Sequence, residues 1–117
     1  MVFSVGNTIS SLNAHATKLA VSANNVANVA TEGFKKSRAV LQEGPGGAVQ
    51  VQIDRVNTPG PLIQDDGEDQ YTALEMSNVD LGEEIPQTML TTRGYEANLT
   101  VVKTADELLG SILDILT

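Results

Sequence analysis

The chain has 117 residues, 41% of them apolar but only 3% aromatic, so it makes at most one ordinary domain with a modest core of aliphatics and alanine. It has no cysteine, which excludes disulfides, thiolate nucleophiles and cysteine-ligated metals, and its net charge of −8 argues against binding a nucleic-acid backbone. No run of about 18 apolar residues could span a membrane, and no basic-then-apolar leader is visible, so no cleaved signal peptide is expected. The charge is also divided along the chain. Residues 1–42 carry four basic groups and one acid, whereas residues 43–117 carry three basic groups and fourteen acids. Opposite signs at the two ends favour pairing between them, within one chain or between chains.

Residues 1–33 read as an N-terminal helix. Val2, Val5, Ile9, Leu12, Ala16, Leu19, Ala23 and Val26 follow one another in alternating steps of three and four. That is an a/d seam about four heptads long. Ala16 and Ala23 would let a partner helix approach closely. A seam this narrow does not stabilise a lone helix, so a partner is expected. Gly33 is placed to supply the left-handed residue that ends a helix, with Phe34 as its hydrophobic cap.

Residues 34–76 read as a short β-rich insert. Val49, Val51 and Ile53 alternate with Gln50, Gln52 and Asp54, a half-buried strand. Residues 39–41 and 71–74 are candidates to pair with it, giving a flap of two or three strands. Gly44-Pro45-Gly46-Gly47 and Asn57-Thr58-Pro59-Gly60-Pro61 are turns.

Residues 77–117 read as a C-terminal helix. Asp80 with Glu83 resembles a capping box, and Pro86 predicts a first turn over 80–85 followed by a bend. One stripe runs through Ile85, Thr88, Thr92, Tyr95, Leu99, Val102, Asp106, Leu109, Leu113 and Leu116. A second runs beside it through Leu90, Ala97, Val101, Ala105, Leu108, Ile112 and Ile115. Together they make a face too broad for one narrow helix to cover, which predicts several neighbours or self-association. Gly94 is a weak point in this helix. The fold expected is mainly α: two long terminal helices pairing as a coiled-coil-like hairpin, with a small β-containing insert between them.

Catalytic chemistry is not indicated. His15 is the only histidine and reads as an ordinary polar-face residue. The run Asp65-Asp66-Gly67-Glu68-Asp69 lacks the alternating ligands and closing glutamate of a calcium loop and reads as solvated. Glu83 and Glu84 are adjacent and diverge on a helix. No catalytic residues, cofactor or metal are expected.

The motif Ser22-Ala23-Asn24-Asn25-Val26-Ala27-Asn28, continuing through Thr31, Gly33, Phe34 and Lys35, resembles the N-terminal motif of bacterial flagellar rod and hook proteins. Ser77-Asn78-Val79-Asp80-Leu81, Glu83-Glu84, Arg93, Tyr95-Glu96-Ala97-Asn98 and Lys103-Thr104-Ala105-Asp106-Glu107 resemble that family's C-terminal motif. Pro86 and Gly94 depart from its usual pattern. The resemblance implies a self-assembling structural subunit of the flagellar basal-body rod, most like a small proximal-rod protein. Its terminal helices would form the axial core, and the flagellar type III apparatus would export it. The alternative is a helical-hairpin binding module or export cargo that docks on a flagellar partner without building the rod. The implied partners are other rod and hook subunits, the chain itself and the export apparatus. The expected assembly interface comprises the seam residues Ile9, Leu12, Ala16, Leu19, Ala23 and Val26 and the motif residues Asn25, Asn28, Gly33 and Phe34. From the C-terminal helix it adds Arg93, Tyr95, Glu96, Asn98, Leu99, Val102, Leu109, Ile112, Leu113 and Leu116.

Overall fold

A computed structural model gives the fold, and the residues it describes are 2–65 and 72–117. Helix α1 (Val2–Ala27) is followed by strand β1 (Ser37–Glu43), a 3-10 turn at Pro45–Gly47, and strand β2 (Val49–Arg55). Strands β3 (Leu62–Asp65) and β4 (Thr72–Glu75) lead into helix α2 (Leu81–Leu116). Residues 66–69 of the acidic run and Tyr71 lie outside the described residues. The molecule is rod-like, 83 × 24 × 15 Å, with a radius of gyration of 21.0 Å. A compact chain of 100 residues would have about 13 Å.

The two helices run antiparallel. Asn25 meets Glu84, His15 meets Gly94 and Ser11 meets Asn98. On this register Val2 lies level with Glu107, so residues 108–116 of α2 project beyond α1 by about 14 Å at 1.5 Å per residue. Helix α1 also packs against β1 and β2, so it sits between α2 and the first hairpin.

The expected coiled-coil-like hairpin is corrected on two points. First, the helices do not meet through their apolar seams. The inward stripe of α2 is Glu84, Thr88, Thr91, Tyr95, Asn98, Val102 and Ala105, a heptad pattern of mostly small or polar residues. On α1 the buried positions are Ala14, Ser22 and Asn25. Small side chains let the backbones approach, and the threonine hydroxyls are satisfied locally. Thr88 and Thr91 donate to the carbonyls of Glu84 and Gln87, at 2.8 and 2.7 Å. Second, the insert is two separate antiparallel hairpins, β1–β2 and β3–β4, giving a helix–strand–helix chain. Strand β4 pairs with β3, Leu62 opposite Glu75, and not with β2. The segment Pro59-Gly60-Pro61 redirects the chain between the two. Gly60 is buried there, and a Cβ on it would lie 1.9 Å from the Met76 carbonyl oxygen, so the backbones touch.

The end of α1 differs from expectation, and the start of α2 differs only in its capping partner. Helix α1 ends at Ala27, and the chain then tightens into successive turns, with Asn28 N–H bonded to the Asn25 carbonyl and Thr31 N–H to that of Asn28. Gly33 has the expected positive φ of 66°, but its N–H donates to the Glu75 carbonyl at 2.9 Å, tying the turn to β4 and not capping α1. Helix α2 is capped by Asp80, whose carboxylate accepts from Gly82 N–H at 2.8 Å, and runs through Pro86 as one helix. Glu83 does not close the capping box. Its carboxylate pairs with Lys36 at 3.0 Å.

Very little is buried. Among the described residues only Ala14 and Ala39 form an apolar interior, against five buried polar residues: Ser22, Asn25, Ser77, Glu84 and Thr91. The accessible surface is 8299 Å². A folded monomer of this mass would expose roughly 6,100 Å².

Candidate functional site

Two places concentrate chemistry or unfilled surface. The first is a polar junction where the end of α1, the start of α2 and the bases of both hairpins converge. Asn25 is its centre, 1% exposed. Its Oδ1 accepts from Ser37 N–H at 3.0 Å, while its Nδ2 donates to the Ser37 carbonyl at 2.8 Å and to Glu84 Oε1 at 3.0 Å. The amide thus acts as a one-residue strand partner for β1 and also holds a buried carboxylate. Only a side chain with a donor and an acceptor side by side can do both.

Asn78 makes the neighbouring clamp. Its Oδ1 accepts from Lys36 N–H at 2.7 Å, and its Nδ2 donates to the carbonyls of Val56 and Thr58 at 2.9 and 3.0 Å. Glu75 completes the ring, paired with Lys35 and accepting from Gly60 N–H at 3.0 Å. The Lys35 hydrogen bond, together with that from Gly60, holds the Glu75 carboxyl below its usual range. No buried side-chain polar atom is left without a partner among the described residues.

The second place is the outer surface of the helices. Of the seam expected on α1, Ile9, Ala16, Ala23 and Val26 are exposed, while Leu12 and Leu19 are half-buried. On α2, Leu99, Leu109, Ile112, Leu113 and Leu116 are exposed, with Ile115 82% open to solvent. The exposed apolar side chains of residues 108–116 are contiguous along an end of α2 that extends past the end of α1. Exposed apolar surface of this extent makes the end of α2 a candidate interaction site.

The structure divides the remaining expected residues. Asn25 is in the junction, and half-buried Phe34 lies beside it with its carbonyl accepting from Asn78 N–H. Tyr95, Asn98 and Val102 face α1, with Asn98 Nδ2 donating to Ser11 Oγ at 3.0 Å. Asn28 donates to the Asn24 carbonyl at 2.8 Å and accepts from the Thr31 hydroxyl, a local turn contact. Arg93 and Glu96 are exposed on the far side of α2.

Several residues were not anticipated as structural actors. Asn78 and Glu84 belong to the motif segments, but their roles are set by distant groups, the Val56 carbonyl for Asn78 and the Asn25 side-chain amide for Glu84. His15 is not an ordinary polar-face residue. Its Nδ1–H donates to the Ser11 carbonyl at 2.8 Å, and its ring lies over Gly94, where a Cβ would be 2.6 Å from Nε2. The glycine that weakens α2 therefore makes room for the helix crossing. A histidine on one helix and a glycine on the other do not announce each other in sequence.

Two family models match the chain. Residues 7–35 match the model described as flagella basal body rod protein. Residues 71–115 match the one described as flagellar basal body rod FlgEFG protein C-terminal. No curated protein matches. The two matched stretches contain α1 from Asn7 onward, the junction asparagines Asn25 and Asn78, and all of α2 but its last residue.

Proposed function

We propose that this chain, which belongs to the family of flagellar basal-body rod and hook proteins, is a self-assembling structural subunit of the rod. The observation that carries the proposal is the mismatch between the apolar seams and the contacts within the chain. The helices meet mostly through small and polar residues and leave much of the aliphatic rows of α1 and α2 facing out, with Leu12, Leu19 and Val102 half-buried. In a monomer this arrangement exposes most of the apolar side chains the sequence has. In a bundle of subunits the same rows become the core.

On this reading the helices within 1–33 and 77–117 form the axial core and residues 34–76 the outer part. The short insert favours a small proximal-rod subunit. The family is structural, so no reaction is assigned. Its neighbours are other rod and hook subunits and further copies of itself. Export through the flagellar type III apparatus is supported by the small buried core, which makes unfolding for passage inexpensive.

The test is a motility assay with Leu109→Asp, with secretion of the variant checked separately. Leu109 is 49% exposed in the single chain, so the substitution leaves the fold intact. In a packed bundle it places a carboxylate among aliphatic side chains, at a cost of several kcal/mol. Loss of swimming with normal secretion is expected. Normal swimming would remove the rod-subunit reading.

A further inference from the structure

Strand β1 has an open edge, and the alternation of its ladder shows which groups are free. Val56 N–H bonds to the Lys36 carbonyl and Gly44 N–H to that of Ala48, and both pairs fit the register that places Arg38 opposite Asp54. Arg38, Val40 and Gln42 therefore turn their backbone groups to β2, whereas Ser37, Ala39, Leu41 and Glu43 turn theirs away. Asn25 occupies the outward groups of Ser37. The outward groups of Ala39 and Leu41 line a groove of ≈ 760 Å³ between β1, the second half of α1 and the first turns of α2. Across that groove stand Gly82 and Pro86, and because proline has no N–H the Gly82 carbonyl lacks its α-helical donor.

The groove is positively biased. Lys36 is paired with Glu83, and Glu84 is engaged by Asn25. Lys18 and Arg38 also line it, and neither is in an ion pair among the described residues. A second open edge lies elsewhere in the chain. The outward carbonyl of Glu75 in β4 is taken by Gly33 N–H, which anchors that side of the second hairpin and leaves β3 as its free side. Strand β3 exposes Leu62 at 68% and Ile63 at 52%, and the sequence that follows is Asp65-Asp66-Gly67-Glu68-Asp69.

We propose that the groove beside β1 is a strand-addition site that receives the β3 segment of a second copy of this chain. The incoming backbone continues the ladder that Asn25 begins, pairing with Ala39 and Leu41. Its acidic end meets Lys18 and Arg38. The contact lies outside the helical seams and links the outer parts of neighbouring subunits. It rests on the assembly reading only in requiring that copies meet.

The test uses the 117-residue chain and a synthetic peptide of residues 61–69, so it does not depend on self-assembly. Amide hydrogen exchange at Ala39 and Leu41 should slow by about tenfold or more when peptide is added, with the amides of Arg38 and Val40 changed little. The double variant Lys18→Glu/Arg38→Glu, at a half-buried and an exposed position, should weaken peptide binding roughly tenfold or more. A peptide carrying Gln64→Pro, which removes a ladder donor, should not protect. Unchanged exchange at Ala39 and Leu41 with saturating peptide overturns the proposal, as does equal protection by the Gln64→Pro peptide. If the peptide protects while the Leu109→Asp strain swims normally, the strand site stands and the rod reading falls. If that strain fails to swim and the peptide does not protect, the reverse holds.

Discussion

The two ends of the α1–α2 pair are built on opposite principles. At the junction, Asn25, Asn78 and Glu75 leave no buried side-chain polar atom of the described residues without a partner, and the hairpins are fixed to the helices through hydrogen bonds of 2.7–3.0 Å. At the far end, residues 108–116 of α2 present exposed aliphatic side chains that no described element covers. Directional polar contacts define one geometry and tolerate little substitution. Apolar burial is non-directional and takes its value only from what arrives to cover it. The junction fixes the shape of the single chain, and the overhang leaves its apolar side chains exposed.

The largest effect that would break this contrast is expected at the overhang. In solution, helical circular dichroism of the chain should rise with protein concentration, because on the assembly reading neighbours would order the narrow seams. Leu109→Asp should abolish that rise and leave the dilute spectrum unchanged. A concentration-independent signal in the unmodified chain would mean that the overhang is not an association surface.

At the junction the expected effect is on the single chain. Asn25→Ala removes three hydrogen bonds and leaves Ser37 and the Glu84 carboxylate without their partner. The cost is roughly 2–4 kcal/mol, a fall in melting temperature of roughly 10 °C or more. Asn25→Asp keeps the shape but loses the donor and sets a second carboxylate against Glu84, so it should be no milder. Thermal unfolding at a dilute, fixed concentration measures both. If Asn25→Asp melts with the unmodified chain, the amide's donor role is wrong.

The crossing at Gly94 should give a smaller effect whose sign depends on its partner. Alanine gains about 1 kcal/mol of helix propensity over glycine. Its Cβ would lie 2.6 Å from His15 Nε2, so the ring or the helix must move. Gly94→Ala alone should therefore be destabilising by roughly 1 kcal/mol, and in a His15→Ala background it should become stabilising. Additive effects in the double-mutant cycle would show that the two residues do not meet.

These contrasts also explain what could be read from the sequence. The three-and-four spacing located α1 and α2, and Asp80 marked the start of α2 correctly, because capping and periodicity are local. Which face turns inward was not legible. The strongest apolar rows, Ile9 to Val26 and Leu99 to Leu116, turn mostly outward, and the inner stripe of Glu84, Thr88, Thr91 and Asn98 looks like a solvated face. A hydrophobic pattern records a preference for burial without saying which molecule supplies the cover. Strand β3 was missed for another reason. Leu62–Asp65 is four residues long, follows a proline and has no clear alternation, so its strand state comes from pairing with β4. Asn25 was singled out as an interface residue through its motif. Its two-sided contact with Ser37 could not be read from a position twelve residues away.

The smallest effect separates the junction from the overhang by pH. Lys35 and Gly60 N–H stabilise the ionised form of Glu75, so its carboxyl titrates lower in the folded chain than unfolded. An ordinary glutamate takes up its proton near pH 4.3, at about the value expected for the unfolded chain. Above that value the contribution is fully present. As pH falls, the unfolded chain binds the proton first, and the contribution is lost as pH passes down through the lowered folded value. Glu75→Gln keeps an oxygen for Gly60 but removes the charge that Lys35 meets. Urea midpoints of the two chains should differ near neutral pH, with the unmodified chain higher, and the gap should shrink as pH drops below 4. The overhang carries one acid, Asp114, on a helix end with no ion pair among the described residues, so self-association should not share this dependence. A gap between the two chains that stays constant down to low pH would show that the Lys35–Glu75 contact contributes nothing through its charge.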